Sequence, residues 1–315
     1  MILRRILTIG GLAAVFTIAA AGPALADDPA DNLADYLADA GEAVYSGRRV
    51  VGTTWDGMES VGIVEIQHLG GKATLGSGSF YATIGDGRMH LAGPNETALS
   101  FVGATQPDLA VRYAVASGGT AEHLGRRARV LDVMESGLLR MRVIVDESTS
   151  APVATEVYSN DGTVFRYSAM VEFSVSVGPE MTMTDEHAYE MMLPVEQAGL
   201  PSDAAGYQLV DVYAGPRGAR QAFYTDGLFS FSVFTTKGRV NWHAAIEDEL
   251  PYAVDGHSYL RVIDPASLWV VWNAPGTAVA LVGDLPPDHL EDVLAELPRP
   301  GSDGWMQRMW SRLFG

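Results

Sequence analysis

The chain has 315 residues, no cysteine, and 21 Lys+Arg against 39 Asp+Glu, a net charge of −18. The length suits two domains. The missing cysteine excludes disulfides, thiolate chemistry and a lipid-modified N-terminal Cys, and the acidic excess argues against nucleic acid, whose phosphates it repels.

Residues 1–26 read as a secretory signal peptide. Arg4-Arg5 form a positive start, Ile6 to Ala21 is apolar, and Ala24-Leu25-Ala26 matches a small-x-small cleavage site, so the expected cut falls after Ala26. An uncleaved anchor is the alternative, disfavoured by a short, glycine-interrupted apolar run. The twin arginines hint at export of a folded chain, but their surroundings match that signal poorly. Removal takes away two arginines and no acid, so 21 basic residues become 19 against 39 acidic ones, a net of −20. The expected location is beyond the cytoplasmic membrane, in the periplasm or cell envelope.

Leu33, Tyr36, Leu37, Ala40 and Val44 recur at helical spacing and predict a short amphipathic helix at the start of the mature chain. Short β-rich runs broken by Gly and Asp-Gly follow: Val50–Trp55, Val61–Leu69, Phe80–Ile84, Leu99–Val102, Arg129–Met134, Leu138–Val145, Pro152–Tyr158 and Thr163–Phe173. Leu139, Met141, Val143 and Val145 alternate with Arg140, Arg142 and Ile144, a strand with one inner face. Many antiparallel strands behind one helix predict an α+β layer, a curved sheet wrapped on the helix. The expected boundaries are 27–178 for this large domain, 179–203 for a linker and 204–299 for a smaller domain. The smaller domain holds strands near Gln208–Tyr213, Ser258–Ile263, Leu268–Asn273 and Ala278–Val282. Its closing helix starts at Pro287 and carries Leu290, Val293, Leu294 and Leu297 on one stripe.

"FYTDGLFSFSVF" at 223–234 holds five aromatic residues around Asp226-Gly227, a two-residue hairpin signal. Alternation puts Phe229, Phe231 and Val233 on a core face and Ser230 and Ser232 on a wet one; the alternative is an exposed aromatic platform.

Catalytic patterns are missing. The histidines at 68, 90, 123, 187, 243, 257 and 289 show no metal-ligand spacing. Gly76-Ser77-Gly78-Ser79 fails the nucleophile-elbow pattern at Phe80, and Gly70-Gly71-Lys72 lacks the rest of a phosphate loop. Asp185-Glu186-His187 reads as a solvated loop. No carboxylate pair stands out for acid–base work. The residues support a binding protein, not an enzyme, with no metal and no cofactor.

Several stretches, in order, resemble the MucB/RseB family of exported negative regulators of envelope-stress sigma factors. "YSGRRVV" at 45–51 and "VEIQHLGGK" at 64–72 are similar to the first strands of its N-terminal domain. "LGRRARVLDV" and "LLRMRVIVDESTSAPVATEVYSNDGTVFRYSAMVEF" are similar to its central hairpins. "YTDGLFSFSVF" at 224–234 and "VGDLPPDHLEDVLAEL" at 282–297 resemble the opening hairpin and the closing strand-turn-helix of its C-terminal domain, with "DGLFSFSV" and "VGDLPP" the most specific. "VDESTSAPV" departs from the usual Gly-Leu-Pro-like turn. The resemblance implies a half-open antiparallel β-barrel around a helix, related to lipoprotein carriers, plus a smaller C-terminal α/β domain. It implies binding to the extracytoplasmic part of a single-pass membrane anti-sigma factor, protection of that factor from proteolysis, and relief by a lipid-like or acyl-chain signal. The rival readings are a lipid or lipoprotein carrier using the same half-barrel, and a hydrolase without recognisable motifs.

The tail, "GWMQRMWSRLFG" at 304–315, puts Trp305, Met306, Met309, Trp310, Leu313 and Phe314 on one broad face at helical spacing, with Gln307, Arg308, Ser311 and Arg312 on the other. Residues 300–315 read as an amphipathic tail that either packs on the smaller domain or serves a membrane surface or partner.

Overall fold

The computed structural model of the protein describes residues 36, 39–40, 42–69, 74–77, 80–84, 87–91, 112–175, 191–246, 249–265 and 267–301. The expected signal peptide, the run Leu99–Val102, the expected Asp185-Glu186-His187 loop and the tail residues from Trp305 to Phe314 lie outside them. Among the described residues no helix is long and apolar enough to cross a membrane.

The first sheet is built from β1 (Val44–Trp55), β2 (Met58–Leu69), β3 (Thr74–Ser77), β6 (Tyr113–His123), β7 (Arg126–Glu135), β8 (Leu138–Asp146), β9 (Pro152–Tyr158) and β10 (Val164–Ser174). β4 (Phe80–Ile84) and β5 (Gly87–Leu91) pair separately as a hairpin. The order across the first sheet is β3-β2-β1-β10-β9-β8-β7-β6, so it is open, with β3 and β6 at its edges. Neighbours pair antiparallel throughout. Two-residue turns drive this meander. Asp56-Gly57, Leu124-Gly125 and Ser136-Gly137 each have both φ positive, the backbone that matches strand twist in a tight hairpin.

The second sheet comprises β11 (Met191–Leu193), β12 (Asp203–Ala204), β13 (Tyr207–Ala214), β14 (Arg220–Thr225), β15 (Ser230–Lys237), β16 (Leu250–Val254), β17 (His257–Ile263), β18 (Leu268–Ala274) and β19 (Thr277–Gly283). Its path is β11-β13-β14-β15-β19-β18-β17-β16, with β12 also on β13. It too is antiparallel. The expected α/β label therefore gives way to an antiparallel sheet carrying one ten-residue helix, Pro287–Glu296. Met191–Leu193, inside the expected linker, and Asp203–Ala204, across its end, are strands of this sheet.

Three expectations change. Val44 opens β1 and is exposed, whereas Tyr36, Asp39, Ala40 and Glu42 are helical. The hairpin in "FYTDGLFSFSVF" is wider than two residues: β14 ends at Thr225, β15 starts at Ser230, and the Asp226 N–H donates to the Phe229 carbonyl. Ser230 and Ser232 are buried, not wet. The second sheet is covered on both faces. Phe229, Phe231 and Val233 pack with Leu290, Val293 and Leu294 of the helix, while Phe234, Trp242, Val271, Ala280 and Val282 form a cluster of their own. Ser232 is accommodated there by accepting from Gln221 Nε2 at 2.9 Å.

The first sheet departs from one-faced alternation in the same way. Met141, Val143 and Val145 join the main core, but Ile144 packs in a second cluster with Tyr45, Ile66 and Met170, and Arg140 is buried as well. The main core is continuous between the sheets, joining Trp55, Val133 and Met141 to Tyr207, Phe229 and Leu290.

Candidate functional site

The polar groups that the sheets bury against each other gather at two places along one seam. At the first, Arg112 immediately precedes β6 and Tyr113 opens it, Glu135 closes β7 opposite Tyr113, and Arg140 follows on β8. The second sheet contributes Tyr207 from the start of β13, Asp226 from the β14–β15 turn, and Asp288 and His289 from the first turn of the helix. Glu135 is the hub. Its Oε1 accepts from Arg112 Nε at 2.6 Å, and its Oε2 from Arg140 Nε at 2.7 Å and His289 Nε2 at 2.8 Å. Arg140 Nη2 continues to Asp288 Oδ2 at 2.6 Å, and the Tyr207 hydroxyl lies 2.7 Å from His289 Nδ1. Asp226 Oδ2 takes the Tyr113 hydroxyl at 2.6 Å and Arg112 Nη1 at 3.1 Å.

Asp226 does two jobs. Its Oδ1 holds the turn by accepting the N–H groups of Leu228 and Phe229 at 2.9 and 2.8 Å, and its other oxygen reaches the first sheet. Charge explains the arrangement. Burial pushes Glu135 up, but His289 and Arg112 outweigh it and bring its carboxyl down to about 2. Burial also raises the Tyr113 and Tyr207 phenols, so both stay protonated hydrogen-bonding groups. Asp288 suits a helix first turn, where the backbone N–H groups favour an anion.

At the second place, Trp55 meets Phe165 and Tyr252 edge-on at 5.9 and 5.0 Å, and the Arg261 guanidinium lies 4.1 Å from the Trp55 ring centre. Arg261 also pairs with Asp56 at 2.5 Å. Trp55 thus belongs to the seam. Nearby, Arg166 Nη2 donates to the Gly283 carbonyl at 3.4 Å, and the Ser230 N–H donates to Asp284 Oδ1 at 3.0 Å. Burial raises the Asp284 carboxyl to about 6, with Arg166 pulling the other way. Gly283 is required here, because a Cβ would stand 2.5 Å from the Phe231 Cβ.

None of this resembles a catalytic constellation. Among the described residues no group of three or more His, Asp or Glu could hold a metal. Gly76-Ser77 ends β3, and the next described element is strand β4, where an elbow needs a helix. His289, one of the scattered histidines, is buried and held by groups no local pattern connects to it. Arg112, Glu135, Arg140 and Asp226 were not singled out by sequence as a site. Arg140, flanked by Leu139 and Met141, shows polar character inside an apolar run, but Glu135 and Asp226 stand beside turn residues and carry no such signal. The sequence-predicted site residues Trp305, Met306, Arg308, Met309, Trp310, Arg312, Leu313 and Phe314 all lie outside the described residues.

No protein-family model matches the chain, and no curated protein matches it in sequence. Among solved structures it is similar to MucB, at 18% identity and TM-score 0.45, with 84% of this chain and 95% of that chain covered. It is also similar to a chain of the Pseudomonas aeruginosa MucA/MucB complex, at 18% identity and TM-score 0.44, covering 85% and 98%. A LolA superfamily protein, NE2245 from Nitrosomonas europaea, follows at 10% identity and TM-score 0.20, covering 81% and 95%.

Proposed function

We propose that this chain is an exported, non-enzymatic regulator. It binds the extracytoplasmic part of a single-pass membrane anti-sigma factor, shields it from proteolysis and releases it on a lipid-like signal. In this reading residues 27–178 form a half-open barrel around the N-terminal helix, 204–299 form the smaller domain, and residues 1–26 are removed on export.

One observation carries the proposal. The two stretches with the most specific family resemblance, "DGLFSFSV" and "VGDLPP", lie far apart in sequence but meet in space. Phe231 pairs with Gly283, and Ser230 exchanges hydrogen bonds with Asp284. Two resembling stretches that meet at one structural joint are better support than the same stretches scattered. The partner class comes from the resemblance; MucB itself has been solved in complex with MucA(peri).

Crosslinking in living cells, followed by mass spectrometry, tests the proposal. The expected product joins this chain to a single-pass membrane protein, whose exported part resists a site-specific protease only while this chain is present. Crosslinks confined to lipoproteins, together with transfer of acyl chains between proteins, would establish the carrier reading instead.

A further inference from the structure

The two large sheets end in four edge strands, β3, β6, β11 and β16. Three are guarded as edge strands usually are, by shortness or by proline. β3 has four residues and β11 three, and β16 has five with Pro251 among them. β6 has eleven residues, seven of them exposed, and neither proline nor lysine. Among the described residues nothing pairs along its outer side. An open row of backbone N–H and C=O groups of this length is a template for another strand.

One bulge interrupts the row. The register on β7 shifts between Ser117 and Gly119, and a Cβ on the extra residue, Gly118, would stand 2.6 Å from Val130 Cγ1. A bulge bends its strand, so β6 presents two arms. The arm from Tyr113 to Ser117 runs into the seam, where Tyr113 is tied to Asp226. The arm from Gly119 to His123 pairs regularly with Val130 to Arg126 and leads away from the seam.

The side chains beside that second arm set the chemistry of what fits. Thr120 lies opposite Arg129 and Glu122 opposite Arg127, so these four share one face. Arg127 is 85% exposed, with Glu147 at 3.4 Å, and Arg129 is exposed with no salt bridge among the described residues. A strand added beyond β6 would lie about 10 Å from β7, two strand spacings, a gap that an arginine and a carboxylate side chain close together over Thr120. On the other face Gly119 and Ala121 lie opposite Val130 and Ala128, beside an apolar cluster. The complement is a strand with carboxylates on one face and apolar side chains on the other. A basic strand would set like charge against Arg127 and Arg129. A second copy of this chain, net −18, would bring general repulsion.

We propose that the edge from Gly119 to His123 takes up, by strand addition, an extended segment of a partner chain in which acidic and apolar residues alternate, with Arg127 and Arg129 gripping its carboxylates. The identity of the partner rests on the proposed function, under which the segment belongs to the exported part of the anti-sigma factor.

The test uses the full mature chain and a short peptide of alternating Glu and Val, with its Lys-for-Glu counterpart. The Glu peptide is expected to bind about tenfold or more tighter, the worth of a hydrogen bond between charged groups, and the preference should shrink as salt rises. N-methylation at alternate residues should abolish binding where the methyls face β6 and spare it in the opposite register. Neighbouring strand residues turn their N–H groups to opposite edges. Of Thr120→Pro and Ala121→Pro, one should therefore fold normally and lose the peptide. If neither folds, Arg127→Glu with Arg129→Glu carries the test: it should remove the preference for Glu over Lys and keep the melting temperature. Equal affinity for the two peptides, or binding indifferent to N-methylation in both registers, overturns the site. A photo-crosslinker at Thr120 in living cells then tests the partner. A product with a single-pass membrane protein, lost on Arg127→Glu with Arg129→Glu, supports the assignment, whereas a product with a second copy overturns it. Crosslinks to that membrane protein from Ile63 on β2 but none from Thr120 would overturn the edge and leave the proposed function standing. Glu-peptide binding at the edge, with no membrane-protein product from either position, would keep the edge and remove the anti-sigma factor.

Discussion

Arg140 and Arg49 are both buried side chains on the first sheet, 6% and 1% exposed, and they keep different company. Arg140 lies between Glu135 and Asp288, one carboxylate from each side of the seam. Among the described residues Arg49 has the Pro152 carbonyl and two unpaired nitrogens. A charge neutralised from within completes the fold. One left unneutralised is a cost to the fold. The contrast separates charges that hold the two sheets together from one that the described residues leave unneutralised.

The largest effects belong to the seam. Phe231 stacks on Tyr224 at 4.8 Å with rings 4° from parallel, and meets Tyr207 edge-on at 5.4 Å. Phe231→Ala should cost about 3–5 kcal/mol in urea unfolding, with no ligand or partner present. Normal stability combined with lost partner binding would show an exposed platform where a core is described. Glu135→Ala removes the common acceptor of Arg112, Arg140 and His289, and should cost about 3 kcal/mol at pH 7, the lower end for breaking a buried pair. A loss below about 0.5 kcal/mol, the usual surface effect, would erase the contrast with Arg49.

The seam's two perturbed carboxyls should pull in opposite directions as pH changes. Glu135 falls from 4.5 to about 2. A lowered carboxyl adds stability above its unfolded value, lost as pH falls towards 2. Asp284 rises from 3.8 to about 6. A raised carboxyl favours the fold when protonated, so its benefit is complete below pH 3.8 and gone above pH 6, and at neutral pH its buried charge is a burden. Asp284→Asn should therefore stabilise the protein by about 2–3 kcal/mol at pH 7.5 and make no difference at pH 3.5. Melting curves across this range decide it; a destabilised Asn variant at pH 7.5 would mean that the Arg166–Asp284 attraction dominates.

Strands were legible because side-chain alternation and X-Gly turns are local. The sequence places Phe80–Ile84 and Pro152–Tyr158 with the bounds observed. Ser230 and Ser232 misled because a period of two reports which residues share a face, not whether the far face is covered. The segment around Trp242 covers it from outside the strand. The cluster on Glu135 was illegible for another reason: His289 lies 154 residues away in sequence, and only the folded sheets bring the two together. Arg49 did carry a signal, an arginine in phase with Tyr45, Val51 and Trp55. Its parity marks it as inward, but not whether anything neutralises it.

The smallest predicted effect concerns a third way of placing arginines. Arg308 and Arg312 belong to a tail with no acid after Asp303, in a chain of net charge −18. The chain reaches that tail through Pro298 and Pro300, and Gly301 is fastened by its N–H to the Asn273 carbonyl at 2.8 Å. This anchor lies at the β18–β19 turn, so cutting beyond it leaves the helix and sheet intact. We propose that the tail, with Trp305 and Trp310 on its apolar face, folds on a membrane surface, since so short a helix is marginal in water. Deleting residues 303–315 should leave urea unfolding nearly unchanged and weaken binding to anionic vesicles. Arg308→Glu with Arg312→Glu should weaken it by about 1 kcal/mol per basic residue, less as salt rises. Seam arginines should show no such salt dependence, being paired out of water. A large loss of fold stability on deletion would place Trp305 and Trp310 in the core and end the membrane assignment. A vesicle affinity indifferent to salt would leave the tail's apolar face in place and remove its arginines from the account.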